Sequence, residues 1–286
     1  MKYLPPIIIG VALLTGGAFF LSNNMNNKPI VQSHRGYDIE VTRKPNADQI
    51  TLSQPSTIKY KIKNDRGEIV KDFAIAHEKI MHFITVRKDL MYFQHLHPAF
   101  NKENGEFIVN VIFTVDGPYR FFADFTPGKD NPMKLPVTVY SDLTVGDVSN
   151  FQPNAAIPNT DKEMTVLPDY KVTYTLPAEL KSQTLTTYSL TIEKNNQPVK
   201  LEKYLGALGH SVVLKEKTLD YIHTHAGEQT NTTRQMEHKE HSMEMTQQEN
   251  RVDFTTTFPE QGIYKIFTQF QDQGKVFTTE YAVEAK

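Results

Sequence analysis

Cysteine is absent from all 286 residues, and so is tryptophan. Without a thiol the chain has no disulfide, no thiolate metal ligand, no cysteine nucleophile and no lipid-modified N-terminal cysteine. Net charge is also scarce: 31 Lys and Arg stand against 33 Asp and Glu, a formal charge of -2. That balance leaves no electrostatic footprint for nucleic acid or for an anionic membrane surface. Nucleophilic triads, phosphate-binding glycine loops and nucleotide fingerprints are missing as well. Any chemistry must therefore come from His, Met, Tyr and carboxylates, and ten His and nine Met are available.

There is one long apolar run, from Leu4 to Leu21, behind the single cation Lys2 and ahead of the polar stretch Ser22–Lys28. This is the layout of an export segment. No small-x-small cleavage motif stands near Phe19–Ser22, so residues 1–22 read as a membrane anchor with Lys2 inside, or as a signal peptide if cleaved. The expected location is the extracytoplasmic face of the cell membrane, or outside the cell if the segment is removed. Residues 23–34 read as a linker.

The remainder alternates β-rich runs with turn signals, for example Ile58–Ile62, Phe107–Phe113, Val137–Tyr140, Thr187–Ile192 and Phe277–Val283. Short strands rich in Val, Ile, Thr, Tyr and Phe, with no long 3.6-residue period, predict an all-β sandwich or barrel. The two halves are copies. His82, His95 and His97 repeat as His210, His223 and His225, both as H-x12-H-x-H. Gly117–Phe125 repeats as Gly262–Phe270, both as G-x-Y-[RK]-x-F-x-x-F. The second copy carries an insertion in the polar segment 229–250, as loops of a duplicated domain tolerate. Glu260-x-Gly262-x-Tyr264, with Asp116–Tyr119 as its near match, resembles the tyrosine corner of immunoglobulin-like sandwiches. We therefore expect two tandem Ig-like β-sandwich domains, at 35–145 and 165–286, joined by the linker 146–164.

The spacing of the histidines suggests a hairpin centred on Lys88-Asp89, and in the second copy on Glu216-Lys217. His82 then stands opposite His95, and His210 opposite His223, with the third histidine two residues on and on the same face. Three imidazoles on one face suit a tetrahedral metal site with an open position. One ion is expected in each domain, with binding that weakens as pH falls through about 6.5. His77 has Leu205 as its counterpart and is incidental or an accessory ligand. Inside the insertion, Met236, His238, His241, Met243 and Met245 form a second cluster in sequence with no core to fill. Thioether sulfur favours copper, so copper is the expected metal, with zinc as the alternative.

Tyr92–Pro98, Tyr204–His210 and Tyr221–His225 resemble segments of the YtkA-like exported proteins of bacteria. The resemblance covers most of residues 35–286 and implies Ig-like modules of the cell envelope, some associated with copper handling. It assigns no catalytic residue. The leading expectation is an anchored protein that sequesters copper or passes it to an envelope partner. A three-His zinc enzyme and a metal-free Ig-like interaction module are the alternatives. The enzyme reading lacks a general acid or base at a repeated position: Glu78 matches Gly206, and Asp89 matches Lys217.

Overall fold

The computed structural model describes residues 36–43, 50–128, 135–149, 151–153, 163–167, 169–226 and 249–286, and for 43, 163–167 and 225 the backbone alone. The apolar N-terminal run and the His/Met cluster at 236–245 lie outside the described residues. Among the described residues every regular element is a strand, and no helix is long and apolar enough to cross a membrane.

The first half contains β1 (Asp38–Arg43), β2 (Pro55–Lys63), β3 (Phe73–Ala74), β4 (His82–Arg87), β5 (Gln94–Leu96), β6 (Ala99–Asn101), β7 (Glu106–Ile112), β8 (Gly117–Pro127) and β9 (Val137–Val145). One sheet runs β1-β2-β7-β6; the other runs β5-β4-β8-β9, with β3 pairing β8 beyond the end of β4. The second half contains β10 (Glu163–Leu167), β11 (Tyr170–Thr175), β12 (Leu185–Lys194), β13 (Gln197–Pro198), β14 (His210–Lys215), β15 (Tyr221–His225), β16 (Arg251–Thr257), β17 (Gly262–Asp272) and β18 (Lys275–Ala285). Its sheets run β10-β11-β12, with β13 and β16 both on β12, and β15-β14-β17-β18. β1, β2 and β7 share one sheet and β4, β8 and β9 the other, as β11, β12 and β16 divide from β14, β17 and β18. This is the pairing of an immunoglobulin-like sandwich.

Alternation explains the cores. Along β2, Ile58, Tyr60 and Ile62 are fully buried while their neighbours are partly exposed, so one face packs inward. They join Phe83, Phe107, Tyr119 and Phe121 in the first core. Val172, Tyr174, Leu190, Phe254 and Tyr264 belong to the second. Both tyrosine corners form: Tyr119 donates to the carbonyl of Val115 at 2.8 Å, and Tyr264 to that of Glu260 at 2.8 Å. The glycine two residues earlier has a positive φ in each, 148° at Gly117 and 137° at Gly262. A Cβ on Gly117 would meet Arg87 Cδ at 2.6 Å, which is why the shared motif starts with glycine.

The strands β4 and β14 break the alternation, because both their faces are buried. Phe83 points into the first core, but Ile84 and Val86 join Phe122, Val212, Leu214, Tyr221 and Phe267 in a third cluster that lies between the domains. The contacts there are reciprocal. Phe93 stacks on Phe267 at 4.3 Å, and its counterpart Tyr221 lies 4.9 Å from Phe122, the counterpart of Phe267. Lys265 Nζ donates to the carbonyl of Leu90 at 2.9 Å, while Arg120 donates to that of Thr218 at 3.3 Å. Residue i meeting j while j meets i is the signature of two-fold packing, here between two copies in one chain.

Phe122 is fully buried in this interdomain cluster. Phe122→Ala is expected to cost about 3–5 kcal/mol, read as a lowered denaturant midpoint. Tyr264→Phe, which removes only the corner hydrogen bond, is expected to cost about 0.5–1.5 kcal/mol.

Candidate metal centre

His82, His95, His97, His210 and His223 lie on the interdomain face. His82 shares the parity of Ile84 and Val86 on β4, as His210 does with Val212 and Leu214 on β14. The hairpin register differs from expectation. Ile84, not His82, stands opposite His95, and His210 stands opposite His225, with Val212 opposite His223. The turns are longer and irregular: Arg87 N–H bonds the Met91 carbonyl, Leu90 N–H bonds Arg87, and Leu90 and Tyr92 have positive φ. That moves each pairing by two residues. A two-residue shift preserves parity, so His82, His95 and His97 still share one face, as do His210 and His223.

His82, His95 and His97 each offer one ligand nitrogen, all within 4.8 Å of one another. His82 Nδ1 lies 3.0 Å from His95 Nε2. His82 and His95 are buried, at 3% and 9% exposure. The two sets are adjacent and not separated by domain, because the two sheet faces that carry the histidines pack on each other. The His82 ring lies 5.4 Å from His223 and 6.4 Å from His210. His77 joins the same group, 6.2 Å from His82 and 5.9 Å from His210. It is carried there by a turn with positive φ at both His77 and Glu78, matched by Leu205 and Gly206 in the second copy. Of His225 the strand position is described but not the side chain.

Hydrogen bonds orient the rings. His95 Nδ1–H donates to Gln269 Oε1 at 2.8 Å, and Gln269 Nε2 in turn donates to Thr278 Oγ1 at 3.1 Å. His82 Nε2–H donates to the carbonyl of Ala76 at 3.3 Å. In the tautomers that satisfy Ala76 and Gln269, His82 Nδ1 and His95 Nε2 face each other with lone pairs. His97 Nε2 is buried with no hydrogen-bond partner among the described residues. In the second copy His210 Nε2–H donates to the carbonyl of Tyr204 at 2.6 Å, and His223 Nδ1–H donates to Asp124 Oδ2 at 2.7 Å. Asp124 also accepts from Tyr221 at 3.2 Å and from Thr138 at 3.2 Å.

Asp124 and Gln269 occupy the same position in the two copies and cross the interface in opposite directions. Sequence reasoning passed over both, although each stands just before the last phenylalanine of the shared motif. In the sheet Asp124 pairs with His82, and Gln269 with His210.

Burial dominates the electrostatics. It drives His82 down to about 3 and His97 to about 4, and holds His95 well below its ordinary value; neighbouring imidazoles reinforce the shift for His82 and His95. Burial also raises the Asp124 carboxyl. The rings are neutral at physiological pH, so a proton does not bridge the facing lone pairs. Neutral nitrogens held in place by outer hydrogen bonds are what a transition metal ion requires.

A family model described as "Domain of unknown function (DUF8832)" matches residues 32–142 and again 165–286. The chain belongs to this family. No curated protein matches its sequence. A Salmonella alpha-2-macroglobulin is similar over 89% of this chain, at 10% identity and a TM-score of 0.25. Dimeric latent PorU from Porphyromonas gingivalis is similar over 88%, at 10% identity and 0.29. The D00-D0 domain of Intimin is similar over 87%, at 9% identity and 0.21. The chain spans 15%, 24% and 99% of these three. The likeness is too slight to bear on function. As a DUF8832 protein the chain is two copies of the module, and the histidine cluster lies where they meet.

The sign of the pH dependence follows from the depressed histidines. Below about pH 6.5 the unfolded chain takes up protons that the folded rings refuse, so stability falls as pH drops toward 4. The metal-free protein is expected to lose about 1 kcal/mol per pH unit through His82 between pH 6 and 4, with His95 acting in the same direction, seen as a falling urea midpoint. Metal retention is expected to persist below pH 6.5, not to weaken through it, because the folded ligands stay neutral; equilibrium dialysis at pH 7.5 and 5.5 checks this.

Proposed function

We propose that this protein binds a transition metal ion through His82, His95 and His97, at the outer face of the cell membrane, and that the ion is copper. The observation that carries the reading is the pair of lone-pair nitrogens 3.0 Å apart, His82 Nδ1 and His95 Nε2, beside the unpartnered His97 Nε2. Two lone pairs at that separation repel unless a cation lies between them, and burial disfavours a proton there. Spreading the nitrogens modestly around one ion satisfies all three.

Copper is favoured on two grounds. For a fixed set of nitrogen ligands the affinity of divalent first-row ions peaks at copper. Met236, Met243 and Met245, with His238 and His241, lie in the segment that follows the β15 strand and add soft donors to the chain. The apolar run at Leu4–Leu21 supports anchoring, with the domains outside. In this reading the buried cluster stores the ion, and the His/Met segment exchanges it with an envelope partner.

The test is native mass spectrometry of the full chain in detergent, exposed to limiting copper and zinc together. Copper is expected to be retained by the wild type. His95→Ala is expected to lower affinity by more than about 100-fold, since outer-sphere changes alone cost 10–100-fold. Retention unchanged in His95→Ala would contradict the assignment.

A further inference from the structure

We propose that His210 and His223 hold a second metal ion next to the first, so that the interface between the domains encloses a dinuclear centre. The inference rests on the reading of His82, His95 and His97 as a metal centre and extends it to the second copy.

Symmetry carries the argument first. The hydrogen bonds that orient His82 and His95 have mates in the second copy. His82 is turned by the Ala76 carbonyl and His210 by that of Tyr204, at the matching position. In both the bond uses Nε2–H, which leaves Nδ1 as the nitrogen bearing the lone pair. His95 is turned by Gln269 and His223 by Asp124, again at matching positions, and in both the bond uses Nδ1–H. That leaves Nε2 to bind. The same tautomer is thus imposed on each member of a pair by a different chemical group: carbonyl, amide or carboxylate. His225 stands opposite His210 in the register.

Ligand number argues next. A tetrahedral copper or zinc ion takes four donors. His82, His95, His97, His210 and His223 place five imidazoles in one buried group. Neighbouring ring centroids are 4.8 to 6.4 Å apart. One ion cannot use them all, whereas two ions side by side can.

The halves are not equivalent. Asp124 gives the second position a carboxylate–histidine–metal arrangement, and Gln269 gives the first a neutral amide. Asp124 is the negative charge built into the centre, and it offsets part of the repulsion between adjacent cations. It is a positioning residue, acting through His223.

Copper(II) and, separately, zinc(II) titrations of the full chain, followed by native mass spectrometry, test the assignment. Two ions per wild-type chain are expected, and one in His210→Gln/His223→Gln. Asp124→Asn is expected to weaken one of the two ions about 10–100-fold and leave the other in place. Wild-type protein with two copper(II) ions is also expected to show the half-field electron paramagnetic resonance line of a close spin pair, a reading that needs no variant. A wild type holding a single ion that depends on His95 would overturn the dinuclear proposal and leave the three-His centre standing. Two ions retained by a folded His210→Gln/His223→Gln chain would place the second elsewhere and overturn it as well. No ion in the wild type would overturn both readings.

Discussion

A sheet that is apolar on both faces must be covered twice. In β4, Phe83 faces its own sandwich core and Ile84 and Val86 face outward; in β14, Val213 faces inward and Val212 and Leu214 outward. Leaving the outer residues in water would expose a contiguous apolar patch. Each copy covers the other's patch, and the two-fold reciprocity follows because the same surface is used on both sides. The stack of Phe93 on Phe267 and the tilted contact of Tyr221 with Phe122 are what a shared ancestral surface leaves after its sequences drift.

The chemistry depends on that burial. His82 and His210 begin the same strands whose next outward residues form the interdomain core, so docking the sheets removes the imidazoles from water. Desolvation keeps His82, His95 and His97 neutral, and each domain supplies the hydrogen bond that orients a ring of the other. A neutral, oriented, dehydrated set of nitrogens is poorly satisfied by itself and well satisfied by a cation. Metal affinity and domain docking are therefore linked: an ion that binds only the docked form stabilises it by mass action.

Much of the fold was legible in the sequence, because β alternation, turn residues and the repeated G-x-Y motif each carry a local physical cause. The histidine triplets were legible from their repeated spacing. Their register was not, since spacing alone does not reveal how many residues a turn such as Arg87–Met91 consumes; parity survived only because the shift was two. Asp124 and Gln269 were invisible for a different reason. They differ between copies, and their role is to reach across an interface that no pattern within one copy encodes. The clue was present in β4 and β14, whose runs Phe83-Ile84 and Val212–Leu214 lack the polar alternation of a strand with one wet face.

The most direct test is a crystal of the full chain grown with copper, measured at the copper absorption edge for anomalous scattering. A peak between the two sandwiches, about 2.0–2.1 Å from ring nitrogens of His82, His95 and His97, is the expected result. Anomalous density at the His/Met segment alone, or two sandwiches that do not face each other through β4 and β14, would contradict a buried metal centre built by domain pairing.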